Sequence, residues 1–70
     1  GVVIVTGHTG SDNPCNLGAG SNGQVIHVLN TNKKHRVNIK NCYAGDYWIV
    51  DGHCATFVYV TGYGWFSPVD

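Results

Sequence analysis

Glutamate and methionine are absent from these 70 residues, and no Phe, Tyr or Trp occurs before Tyr43. Without Glu, and with the four Asp scattered among turn residues, a carboxylate pair for glycoside hydrolysis has no material. Charged residues make up only 11%, and they sum to zero. Nothing in that balance selects a polyanion, so a nucleic-acid partner is disfavoured. No apolar run approaches the ~18 residues of a membrane-spanning helix. No Asn-x-Ser/Thr sequon occurs, and neither Cys-x-x-Cys nor His-x-x-x-His is present among His8, His27, His35, His53 and the cysteines. A zinc site therefore lacks its usual ligand spacing, and no metal or cofactor is expected. The chain opens at Gly1, as a mature fragment released from a precursor would.

What remains is rich in turn formers and β-branched residues, with ten Gly and seven Asn and no helix-forming stretch. Alternation of period two dominates. Val2–Thr6 is β-branched throughout and reads as a strand. Residues 8–23 read as a long loop. Val25–Leu29 resumes a strand after the turn dipeptide Asn22-Gly23. Asn30–His35 reads as a polar hairpin tip. Arg36–Lys40 alternates so that Val37 and Ile39 face a core. Tyr47–Val50 and Ala55–Thr61 are further strands, separated by the turn signal Asp51-Gly52. Gly62 and Gly64 bracket Tyr63, and Trp65-Phe66 closes the pattern.

Five or six short strands in a chain this small predict a single all-β domain over residues 1–70, and a closed barrel is favoured because closure removes exposed edges. So small a core is marginal, and three Cys point to an oxidising compartment and one internal bridge. Cys42–Cys54 is the favoured pair, closing a short loop for about 3 kcal/mol. Cys15–Cys42 is the runner-up. With the first pairing, Cys15 is left as an odd thiol, free or joined to a second chain.

Function is expected from the aromatic residues. All eight fall between Tyr43 and Phe66, more than a small core absorbs. Tyr and Trp offer stiff, flat, amphipathic contact area, suited to sugar rings or peptides. Tyr63 and Trp65, held near glycines, are the first candidates for ligand contact, followed by Tyr43 and Tyr47. The four Lys/Arg lie between Lys33 and Lys40, where they keep a hairpin tip soluble or form an anion site. Cys54 with His27 or His35 can be drawn as a nucleophile–base pair, but the chain has hardly enough material for a cleft. Catalysis is not expected.

At Cys15–Val25 the chain resembles a family. The run Cys15-Asn16-Leu17-Gly18-Ala19-Gly20-Ser21-Asn22-Gly23-Gln24-Val25 is similar, without a gap, to the Cys/Val-Arg-Ser-Gly-Pro-Gly-Thr-Ser-Tyr-x-Val signature of extracellular Src-homology-3-like domains of bacteria and fungi. Asn16, Ala19 and Gly23 stand where that signature has Arg, Pro and Tyr. Val37–Cys42, Trp48, Asp51–Cys54, Tyr59–Gly62 and Gly64–Phe66 resemble later motifs of the secreted fungal branch. The resemblance implies a five- to six-stranded barrel, secretion, and a non-catalytic role in binding peptidoglycan or another cell-wall glycan, or a protein ligand. Two other functions suit the same residues: a free-standing antimicrobial, effector or inhibitor protein, and a subunit that self-assembles through Cys15 or the Val2–Thr6 strand.

Overall fold

The strand signals become seven strands in a computed structural model that describes residues 1–5 and 13–67. They are β1 (Val2–Val5), β2 (Pro14–Cys15), β3 (Val25–Asn30), β4 (Val37–Ile39), β5 (Tyr47–Ile49), β6 (Cys54–Val60) and β7 (Gly64–Phe66). No described residue is helical. Thr6 and residues 8–12 of the expected loop lie outside the described residues.

The strands form two sheets instead of one closed barrel, and this corrects the expected architecture. A four-stranded sheet has the order β1-β3-β6-β7, with β1 parallel to β3 and the other pairs antiparallel. A three-stranded sheet has the order β2-β4-β5, with β2 parallel to β4 and β4 antiparallel to β5. β2 was not anticipated, because Pro14-Cys15 carries no alternation of its own. It forms by docking beside β4, where Lys40 N–H donates to the Cys15 carbonyl at 2.9 Å.

Closure fails at two corners that both look like hairpins in sequence. Residues 31–36 carry the chain from β3 in the larger sheet to β4 in the smaller one, and residues 50–53 carry it back from β5 to β6. Asn30, buried at 2% exposure, holds both corners. Its Nδ2 donates to the carbonyls of His35 (2.8 Å) and Ile49 (3.1 Å), and its Oδ1 accepts from Asn32 N–H (3.0 Å). Its backbone N–H donates to His53 O, and its carbonyl accepts from Gly52 N–H. Gly52 takes φ 72° inside the turn that His53 N–H closes onto Val50 O, a left-handed conformation that favours glycine.

The faces that meet between the sheets obey the alternation. Ile26 and Val28 of β3, Ala55 and Phe57 of β6, and Trp65 of β7 meet Val37, Ile39 and Ile49 of the smaller sheet. Asn38 departs from it, being as buried as its neighbours Val37 and Ile39.

The bridge expected between Cys42 and Cys54 is not formed, and all three cysteines are free thiols. The topology gives the reason. Cys42 forms a bridge pair with Trp65, which lies opposite Tyr59. Cys54 is five positions before Tyr59 on β6, about 16 Å along a strand. A disulfide needs its Cα atoms within about 7 Å. The inference from a short loop assumed that the strand ending near Cys42 and the strand at Cys54 were neighbours, and β4 and β6 lie in different sheets.

Candidate functional site

The chain crosses β7 with opposite consequences for adjacent aromatic residues. Trp65 points inward, is 2% exposed, and donates from Nε1 to the Gly18 carbonyl at 2.6 Å. Its ring packs edge-on against Tyr59, centroids 5.0 Å apart. Gly20 lies directly over that pair, and a Cβ there would sit 2.9 Å from Trp65 Cζ2 and 3.0 Å from Tyr59 Cγ. Trp65 thus belongs to the core and offers no ring face to a ligand, contrary to its place among the expected ligand contacts. Tyr47 is also mostly committed, half-buried and edge-to-face on Phe57 at 5.7 Å.

Tyr43 and Tyr63, by contrast, are brought together in the open. They are 59% and 62% exposed, with ring centroids 5.8 Å apart in an edge-to-face arrangement. Phe66 joins them, stacked on Tyr43 at 5.0 Å with an interplanar angle of 24°, and 6.4 Å from Tyr63. The backbone fixes each ring. Tyr43 N–H donates to Trp65 O at 2.7 Å, tying the 42–45 turn to the outer edge of β7. Tyr63 N–H donates to Val60 O at 3.0 Å, closing the β6–β7 turn in which Gly62 has φ 86°. Gly64, at φ 106°, then changes the facing of the chain, so Tyr63 and Phe66 converge although three positions apart.

Phe66 is the site residue that sequence reasoning missed. Its outward facing follows by alternation only once Trp65 is known to point inward, which the structure shows and the sequence did not. The bracket of glycines drew attention to Tyr63 and Trp65 as a pair and hid the change of facing at Gly64.

Half of the basic cluster is engaged within the fold. Arg36 lies 3.9 Å above the centroid of the Trp48 ring, a cation–π contact. Lys40 Nζ pairs with Asp46 Oδ2 at 3.0 Å, and Asn38 Nδ2 donates to the same oxygen at 3.1 Å. The hydrogen bonds from Lys40 and then Asn38 hold the Asp46 carboxyl below its ordinary value. Beside Trp48 a shallow groove of about 140 Å³ is lined by residues including Tyr47, Val50 and His53.

The thiols and histidines are dispersed. Burial pushes the Cys15 thiol up, and burial followed by the nearby Asp46 charge does the same to Cys42. Cys54 is exposed at the start of β6. His27 Nδ1 lies 2.9 Å from Thr56 Oγ1 on the open face of the larger sheet, and His53 Nδ1 lies 2.8 Å from the Asp51 carbonyl. Among the described residues no three His, Cys, Asp or Glu side chains gather where a metal ion could be held. His8 lies outside the described residues. No described helix is long and apolar enough to cross a membrane.

Comparison of the chain with family models, curated proteins and solved structures finds no match.

Proposed function

We propose that this chain is a non-catalytic binding module that grips a cell-wall glycan with the rings of Tyr43, Tyr63 and Phe66. The observation that carries the reading is the exposure of three rings already packed on one another at 5.0–6.4 Å. An aromatic cluster held by its own contacts and by backbone hydrogen bonds loses little conformational entropy on binding. Its ring faces suit the apolar faces of pyranose rings, and the two Tyr hydroxyls suit the sugar hydroxyls at their edges. A secreted, Src-homology-3-like setting belongs to the same proposal and rests on the motifs from Cys15 to Phe66.

A binding role is also favoured over catalysis by the placement of the reactive groups. Cys54 lines only the shallow groove beside Trp48, His27 lies on the outer face of the larger sheet, and Cys15 and Cys42 pack against the core. A thiol at the rim of so shallow a groove has little to position a substrate or stabilise an oxyanion.

The test is co-sedimentation of the purified chain with insoluble peptidoglycan, chitin, cellulose and β-glucan. Retention on one polymer, competed away by its soluble fragments, is expected. The double variant Tyr43→Ala, Tyr63→Ala should lose at least tenfold in affinity, as two ring contacts of about 1 kcal/mol each imply. Both residues are exposed, so its near-UV signal should still report a folded core. Full retention by the folded double variant would sink the site, and absence of retention on every polymer would sink the glycan.

A further inference from the structure

The larger sheet carries apolar residues on both faces, and among the described residues only its inner face is covered. Its inner side packs on the smaller sheet. Its outer side presents three rows that follow from the register: Val25–Val58–Phe66, Val2–His27–Thr56 and Ile4–Leu29–Cys54. Val2 and Ile4 are 65% and 64% exposed, and Val25, Val58 and Phe66 between 37% and 42%. Such a face is unusual on a sheet meant to stay in water, where the outward positions normally alternate to polar residues.

From this face we infer that the chain forms a reversible homodimer by stacking the outer side of β1-β3-β6-β7 on the same side of a second copy. Three features favour a second copy as the occupant. The described Lys, Arg and Asp residues all lie outside β1, β3, β6 and β7, so no charged side chain on one face opposes its own copy across a two-fold axis. The polar groups at the centre, His27 and Thr56, already hydrogen-bond each other, which lowers the cost of burying them. The area also fits. Four strands about 4.8 Å apart offer on the order of 500 Å² per copy, so two copies bury roughly 1,000 Å², the low end of a specific interface. An interface of that size gives a dimer in equilibrium with monomer, not an obligate one.

Stacking is also distinct from pairing along the open edge of β1. That edge is four residues long, and ladder bonds there would leave the three rows exposed. The two arrangements separate at β6, an interior strand of the sheet whose side chains an edge pairing never touches.

Sedimentation velocity of the reduced chain from 5 µM to 500 µM tests the inference. A concentration-dependent shift from monomer to dimer is expected, and Thr56→Lys, which places a charge at the face centre, should weaken association at least tenfold. Val25→Lys serves as a second variant should Thr56→Lys lose its native near-UV signal. Alkylation of Cys54 should slow as the dimer forms, because Cys54 lies in the third row. A strict monomer throughout overturns the inference, including one that instead partitions onto neutral lipid vesicles. So does a dimer that Thr56→Lys and Val25→Lys leave intact, which would point to the β1 edge.

Discussion

The residues that decide this structure are small polar ones whose roles depend on partners far along the chain. Asp46 is an example. Its carboxylate takes Lys40 Nζ and Asn38 Nδ2, while Asn38 Oδ1 has no partner among the described residues and the Asn38 side chain is buried. Removing the carboxylate therefore leaves a buried amide with nothing to donate to. Because the Asp46 carboxyl is held below its ordinary value of 3.8, folding favours its charged form. The stabilisation is complete above that value and is lost as pH falls through the lowered one. Asp46→Ala should accordingly lower the midpoint of thermal unfolding at pH 7, and the difference from the parent chain should shrink towards pH 2. Equal midpoints at pH 7 would show the pair to be solvated and idle, as many surface pairs are. The candidate site was legible at this same scale only in part. Tyr43 and Tyr63 could be picked out because small cores do not absorb eight large rings. Trp65 could not be placed, because its inward facing is set by the Gly64 backbone and by the Gly18 carbonyl 47 positions away.

At the scale of strands, period-two patterns located six of the seven elements, and the burial of Val37 and Ile39 on β4 followed from them. Partner choice did not follow. A turn dipeptide such as Asp51-Gly52 shows that the chain reverses, and it does not show whether the next strand pairs with the last or crosses to another sheet. Here both polar corners cross, and the side chain that makes them cross is Asn30, which reads in sequence as the start of a loop. Asn30→Ala should remove three side-chain hydrogen bonds and leave the carbonyls of His35 and Ile49 and the N–H of Asn32 without their partner. A cost of roughly 2–4 kcal/mol is expected, a large share of what a domain of this size holds. Urea denaturation measures it. Asn30→Asp should be no better, since a carboxylate cannot donate to either carbonyl. A loss below about 0.5 kcal/mol would mean that the corners are held by their backbone bonds alone. The disulfide assignment failed because loop length was used as a proxy for strand adjacency, and the barrel because the need to remove edges does not say which strands pair.

For the whole molecule, two features could hold a wall polymer, and they make opposite demands on the solvent. The aromatic triad is uncharged, and the net charge of the chain is zero. The basic segment from Lys33 to Lys40 offers exposed ammonium groups at Lys33 and Lys34, even with Arg36 on Trp48 and Lys40 on Asp46. Contacts between a polyanion and exposed Lys weaken steeply with salt, because the Debye length falls from about 10 Å at 0.1 M to about 3 Å at 1 M. Stacking of rings on sugar faces carries no such dependence and is, if anything, strengthened when salt disfavours apolar exposure. If the triad is the site, retention on the polymer should change less than twofold between 50 mM and 500 mM sodium chloride. Lys33→Ala, Lys34→Ala should leave it unchanged, while Tyr43→Ala, Tyr63→Ala abolishes it at every salt concentration. Release by 500 mM salt, with the tyrosine variant still retained at low salt, would transfer the site to the basic corner between β3 and β4. The triad would then be left as the aromatic rim of the apolar sheet face, since Phe66 belongs to both. Salt titration of the two variants side by side therefore reads which end of the molecule meets the ligand.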